Sequence, residues 1–252
     1  MLLSSVAVLL SGRLPPPVVW TELLPEQNAS GALPTYRNTM PIGNGRIGAN
    51  AFIDEDNAAL ALLLSSQEAF AETGEMYKVG WLRLRITPPP VNATLVEQRL
   101  DVASATMSVT LSTGLRFSVY AHAHTDTFVL EVDSPSKIDI EMEVQLVRPA
   151  PTIDVLPPMD CHRYNISADE AVEADALPAD SIGWFHRNQH SDYMARTMRG
   201  ELFDGAPGFV DTLAERQTGA VVFPDRAKHR PALTKPPGRP LTLVSNAASH
   251  AW

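Results

Sequence analysis

The chain reads as an all-β protein, a large antiparallel β-sandwich of the super-sandwich type with long irregular loops. Three observations predict it. Apolar and polar residues alternate with period two through 82–86, 105–112, 115–122 and 138–146. These runs are joined by turn residues such as Thr113-Gly114. Helical spacing of apolar residues is nearly missing between them. Strand side chains point to opposite faces in turn, so each run buries one face and wets the other. Short connections between such runs are the mark of antiparallel sheets. Four or five buried aliphatics on a face contribute on the order of 8 kcal/mol. That gain requires a second sheet to cover the face, hence a sandwich.

Taken in order, the elements are these. Pro15-Pro16-Pro17 interrupts any helix and leads into a short strand at Val18-Val19-Trp20. Residues 25–39 are polar with scattered Pro and Gly and read as loop. Ile47 to Ile53 is an apolar, strand-like run, and Ala58 to Leu64 pairs back on its Ala49 to Ile53 part across the turn Asp54-Glu55-Asp56-Asn57. Leu82, Leu84 and Ile86 share one face, and Trp81, Arg83 and Arg85 the other. Met107, Val109 and Leu111 pair in pattern with Leu115, Phe117 and Val119, and Ile138, Ile140, Met142 and Val144 continue the core. After Arg148 four prolines break the pattern, and 150–181 reads as a long excursion containing Cys161 and His162. Ile182 to Asn188 and Ala220 to Phe223 return as strands. Residues 224–240 are basic and proline-rich and read as a solvated loop, before a last strand at Leu241 to Val244.

The 252 residues suffice for one large β domain or two small ones. Met1 to Gly12 is apolar and ends in small residues, and residues 1–14 read as a signal peptide without a basic leader, or as a ragged start with no role. The remainder, 15–252, reads as a single sandwich domain cut short at its C-terminal end. Twenty basic and 29 acidic residues give a net charge of −9, which argues against nucleic acid or an anionic membrane as a partner. A single cysteine excludes an internal disulfide. Sequons at Asn28, Asn92 and Asn165 fit a secreted, extracellular protein. No stretch is long and apolar enough to span a bilayer.

The chain's most distinctive stretch is Met40-Pro41-Ile42-Gly43-Asn44-Gly45-Arg46-Ile47-Gly48-Ala49-Asn50. Its glycines allow a tight path with positive φ, and Asn44 and Arg46 are the large polar groups at its tip. It reads either as a plain hairpin turn or as a loop that reaches a sugar or a partner domain. Further pieces are Leu62-Leu63-Leu64-Ser65-Ser66-Gln67-Glu68-Ala69-Phe70, Lys78-Val79-Gly80-Trp81-Leu82-Arg83-Leu84-Arg85-Ile86-Thr87-Pro88 and Trp184-Phe185-His186-Arg187-Asn188. In this order and spacing they resemble the N-terminal β-sandwich domain of family 95-type glycoside hydrolases, including a branch known only as a domain of unknown function. The resemblance implies a domain that packs on a helical (α/α)6 barrel and lends it a loop. In relatives the catalytic carboxylates belong to that barrel, and no such barrel follows here. Glu68-Ala69-Phe70 also stands where Asp-Ala-Trp is usual in the family.

The resemblance thus implies a carbohydrate partner and no catalytic residue in this chain. An alternative is a free-standing carbohydrate-binding module, and another is a non-functional fragment. Binding or docking candidates are Asn44, Arg46, Glu68, Trp184, His186, Arg187 and Asn188. Trp184 or Phe185 offers a stacking face for a pyranose, and His186, Arg187 and Asn188 offer hydroxyl partners. In the competing reading Arg187 pairs with a carboxylate and His186 caps a strand. Glu68, Glu72 and Glu75 are acidic, but a glycosidase needs two carboxylates at a set separation, and spacing assigns none. Glu68 reads rather as a loop-fixing acceptor. His122-Ala123-His124 reads as exposed polar residues on the wet face of a strand, not as half a metal site. No cofactor motif is present.

Overall fold

The computed structural model describes residues 15–23, 38–54, 59–87, 89–90, 92–155, 163–178, 181–189, 193–200, 210–223, 232–234 and 241–251. Its strands are β1 (Val18–Trp20), β2 (Met40–Gly43), β3 (Ile47–Asp54), β4 (Ala59–Phe70), β5 (Met76–Thr87), β6 (Leu95–Asp101), β7 (Thr106–Leu111) and β8 (Arg116–Ala121). They continue as β9 (Phe128–Gln145), β10 (Thr152–Val155), β11 (Arg163–Ile166), β12 (Asp169–Ala171) and β13 (Ile182–Arg187). After the short helix α1 (Tyr193–Gly200) come β14 (Gln217–Val222), β15 (Ala232–Thr234) and β16 (Leu241–Ala251). All strand pairing is antiparallel. The predicted all-β sandwich is the fold observed.

One 11-stranded sheet makes both layers, in the order β1-β6-β7-β8-β9-β5-β4-β3-β2, with β16 along β9 and β15 on β16. β9 is the shared element. Residues 128–133 pair with β8, residues 139–145 pair with β5, and β16 follows both segments on the opposite edge. Pro135 lies between the two pairing segments, where its missing N–H breaks no ladder to β8 or β5. The even-numbered apolar residues of β4 and β5 (Leu60, Leu62, Leu82, Leu84) meet Met107, Val109, Phe117, Val119 and Val132 of the other layer in one core. Gln98, fully buried on β6, ties the layers with two bonds: Ile53 N donates to its Oε1 (3.1 Å) and its Nε2 donates to Asn38 O (2.9 Å).

The outer face of β3, β4 and β5 carries a smaller cluster, Phe52, Ala61, Leu63 and Trp81. Arg83 lies 4.6 Å over the Trp81 ring, and Arg85 pairs with Glu143 of β9 at 3.0 Å. A three-stranded sheet, β12-β13-β14, sits against the main sheet and adds Ile182 and Trp184 to the principal core. β10 and β11 form a separate ribbon.

Four expectations need correction. β4 does not stop at Leu64 but runs to Phe70, so Glu68 stands within a strand and not after one. The 150–181 excursion contains β10, β11 and β12. Residues 224–240 are not wholly loop, because Ala232–Thr234 pair with β16. His122 and His124 follow β8 in a turn and do not share a strand face. The turn at 55–57, Cys161, His162 and the start at 1–14 lie outside the described residues.

Candidate functional site

Alternation along β13 sends Ile182, Trp184 and His186 inward, and leaves Phe185 and Arg187 on the outer face. Trp184 is fully buried, and its Nε1 donates to Val79 O at 2.7 Å. That carbonyl is free to accept because the β4–β5 register slips by one residue there, from Leu64↔Gly80 to Ser65↔Lys78. Gly80 makes room for the indole: a Cβ at that position would lie 2.6 Å from Trp184 Nε1. Trp184 therefore joins the two sheets, and its ring faces no solvent.

His186, one turn of the alternation further, is enclosed by polar groups. Its Nδ1 lies 3.1 Å from Asp169 Oδ1, directly opposite on β12, and its Nε2 lies 3.3 Å from Glu72 Oε2, just beyond β4. The side chains of all three are 1–2% exposed. Glu72 Oε1 accepts from Ser167 N (3.0 Å) and Gln189 N (3.2 Å) and lies against Ser167 Oγ, which also touches the carbonyl of Arg187. Asp169 accepts from Arg148 twice, from the backbone N at 2.8 Å and from Nε at 3.4 Å. The Arg148 guanidinium lies 4.0 Å over the Tyr77 ring, whose edge meets His186 at 4.9 Å between centroids.

Two carboxylates are thus matched by two cations, once His186 carries both ring protons. Burial alone would raise the Glu72 pKa, but hydrogen bonds from His186 and Ser167 outweigh it and bring the carboxyl down from 4.5 to about 2. Burial alone would lower His186; its bonds to Asp169 and Glu72 outweigh that and the nearby Arg148 charge, and its pKa is raised above 6.5. Burial raises the Tyr77 phenol, against a hydrogen bond with Thr218. Every oxygen of Glu72 and Asp169 is engaged by a donor. Chemically the cluster holds charge in place and has no free face for a substrate.

Asn188 closes the same region. It is 1% exposed, and its Nδ2 donates to Phe70 O and Leu213 O, each at 3.0 Å. Glu68 pairs with Arg216 through its carboxylate, and its backbone carbonyl accepts from Thr218 Oγ1 at 3.2 Å, stitching β4 to β14. Outside, Arg187 is exposed, with its Cζ 5.6 Å from the Phe185 ring centroid. The exposed residues Glu170 and Gly219 flank Phe185 across the sheet, and exposed Gln217 is paired with Arg187. A Cβ on Gly219 would come within 2.7 Å of Phe185 Cβ, so glycine keeps this side of Phe185 low.

The Gly43-Asn44-Gly45-Arg46 loop stands at a different place, against the 122–127 turn. Asn44 Nδ2 donates to His122 O (2.9 Å) and Thr125 O (3.0 Å), and its Oδ1 accepts from Arg46 N (2.9 Å) and Ile47 N (3.0 Å). Gly45 holds φ +92°. Arg46 pairs with Asp126 at 3.0 Å, both groups largely in water. His122 Nδ1 is 2.9 Å from Thr125 Oγ1. Among the described residues no group of three or more His, Cys, Asp or Glu is arranged to hold a metal ion, and no helix is long and apolar enough to cross a membrane.

The seven predicted residues therefore fall into separate places. Trp184, His186 and Asn188 are inside, Arg187 is outside on the same strand, Glu68 is a stitch on β4, and Asn44 and Arg46 fasten their loop to the 122–127 turn. Sequence reasoning missed Asp169, Arg148, Ser167 and Asp126 as partners, and left Glu72 unassigned. A charged residue in an apolar strand, as His186 is, signals a buried partner, but nothing in the spacing says which. Residues 34–235 match the model of a family described as DUF5703_N, a domain of unknown function. No curated protein matches the chain.

Proposed function

The chain belongs to the DUF5703 N-terminal domain family, and on that premise we propose that it is a non-catalytic carbohydrate-side domain of a glycoside hydrolase-like protein. The supporting observation is the outer face of β13 and its neighbours. There one half-buried aromatic ring, Phe185, stands beside an exposed guanidinium (Arg187), carboxylate (Glu170) and amide (Gln217) on the same face. An apolar ring face beside forked donors and acceptors is the chemistry that binds a pyranose, by stacking and by bonds to hydroxyls. The buried carboxylates Glu72 and Asp169 are committed to His186, Ser167 and Arg148, which supports binding without hydrolysis. An exported protein fits the reading, since sequon residue Asn92 lies in an exposed turn.

Titration calorimetry of the purified chain against a panel of oligosaccharides tests this. Binding by the wild type, weakened at least about fivefold in Phe185→Ala and Arg187→Ala, is the expected result, since hot-spot truncations cost above ~1 kcal/mol. Absence of binding to any glycan, or unchanged affinity in both variants, overturns it. A second reading, docking on a helical-barrel domain, draws on the exposed apolar residues Val221 and Phe223 further along the same face. Release of aryl-glycoside product by the purified chain would contradict both.

A further inference from the structure

Besides Trp184 and the β4–β14 stitches, the three-stranded sheet is fastened to the main sheet by an imidazole placed between two carboxylates that belong to different elements. Asp169 comes from β12 in the small sheet, and Glu72 from the turn just beyond β4 of the main sheet. Both oxygens facing the ring are acceptors, so both bonds form together only when Nδ1 and Nε2 each carry a proton. With one proton lost, a ring lone pair faces a carboxylate, and two buried anions face a single cation, Arg148.

We infer that this arrangement is a pH-sensitive catch: it holds β12, β13 and β14 on the main sheet while His186 is doubly protonated, and loosens them when the ring loses a proton. The groups facing His186 are Asp169 from β12, Glu72 from beyond β4, Tyr77 from β5, Thr218 from β14 and Arg148 from beyond β9. The direction of the response follows from these neighbours. The closed state holds the proton more tightly than the opened state, in which the ring returns toward its ordinary 6.5. Stability of the catch is therefore full below that value and is lost as pH rises through the higher closed-state pKa. Between the two, opening increases about tenfold for each pH unit. In the main sheet, by contrast, β7 and β8 are held by the apolar side chains Met107, Val109, Phe117 and Val119.

Hydrogen exchange of the whole chain between pH 6 and pH 9, corrected for intrinsic exchange, tests the catch. Protection of 182–187 and 217–222 is expected to fall above pH 6.5 relative to 106–121, by about tenfold per unit until the ring has titrated. In His186→Gln, which bonds but does not titrate, the ratio is expected to be lower at pH 6 and flat with pH. A flat ratio in the wild type, or the same slope in His186→Gln, overturns the inference. Should His186→Gln not fold, ring nitrogen shifts of the wild type followed from pH 5 to pH 9 decide: a titration midpoint above the ordinary 6.5 supports the catch, and a midpoint at or below it overturns it.

Discussion

Asp169 and His186 stand directly opposite each other across β12 and β13, and their side chains meet at 3.1 Å inside the protein. The second ring nitrogen rests on Glu72, 114 residues away in sequence. Removing the imidazole leaves two buried carboxylates with one cation. His186→Ala should cost about 3–5 kcal/mol, the range for breaking a buried pair. The adjacent Arg187→Ala, on the wet face, should cost less than about 0.5 kcal/mol. Urea unfolding at pH 6 of the two variants beside the wild type checks both values.

On the acid side the controlling group is Glu72. Its carboxyl is held at about 2 in the folded protein against an ordinary 4.5. A depressed carboxylate contributes stability above its unfolded pKa and loses it as pH falls through the folded one. The contribution is on the order of 3 kcal/mol and should vanish between about pH 4.5 and pH 2. Urea midpoints measured across that range should fall less steeply in Glu72→Gln than in the wild type. Parallel curves would show that Glu72 is not the controlling group.

Asn44 and Arg46 are neighbours in the same loop with unequal burdens. Asn44 makes four bonds to backbone groups, two of them across to the 122–127 turn. Asn44→Ala should cost about 1–2 kcal/mol, since each net bond contributes ~1 kcal/mol and part is recovered from water. Arg46→Ala should cost under about 0.5 kcal/mol, because an ion pair this exposed is screened. Thermal or urea unfolding that ranks the two the other way would contradict the geometry.

Gly45 isolates a backbone effect. Nothing lies within 4 Å of where its Cβ would stand, yet its φ is +92°. Gly45→Ala should therefore destabilise by about 1–2 kcal/mol through conformation alone. An unchanged melting temperature would mean that the loop relaxes to another path.

Long strands that bury one face wrote themselves into the sequence as alternation. β3, β5, β7, β8 and the second half of β9 were legible for that reason. The outer end of β4 was not, because Ser65-Ser66-Gln67-Glu68 leaves the core and its pattern turns polar. β10, β11, β12 and β15, of three or four residues each, are too short to show a period. At the site, His186 was visible as a polar residue in an apolar strand. Its partners were not, since the docking of one sheet on another sets them. The same docking turned Trp184 inward and left Phe185 half-buried on the outer face.

Trp184 stands against two glycines, and this has a historical consequence. A Cβ on Gly80 would lie 2.6 Å from the indole nitrogen, and one on Gly219 would lie 2.3 Å from the Trp184 carbonyl. Overpacking of this kind costs typically 1–3 kcal/mol, so neither glycine can change first while the indole is in place. Shrinking Trp184 first removes the obstacle at Gly80 but not at Gly219, whose conflict is with backbone. The order in which substitutions can accumulate is therefore constrained: Gly80 is conditional on Trp184, and Gly219 is conditional on the spacing of β13 and β14. Lineages of this fold in which Gly80 has been replaced should carry a smaller residue at 184 and retain the glycine at 219.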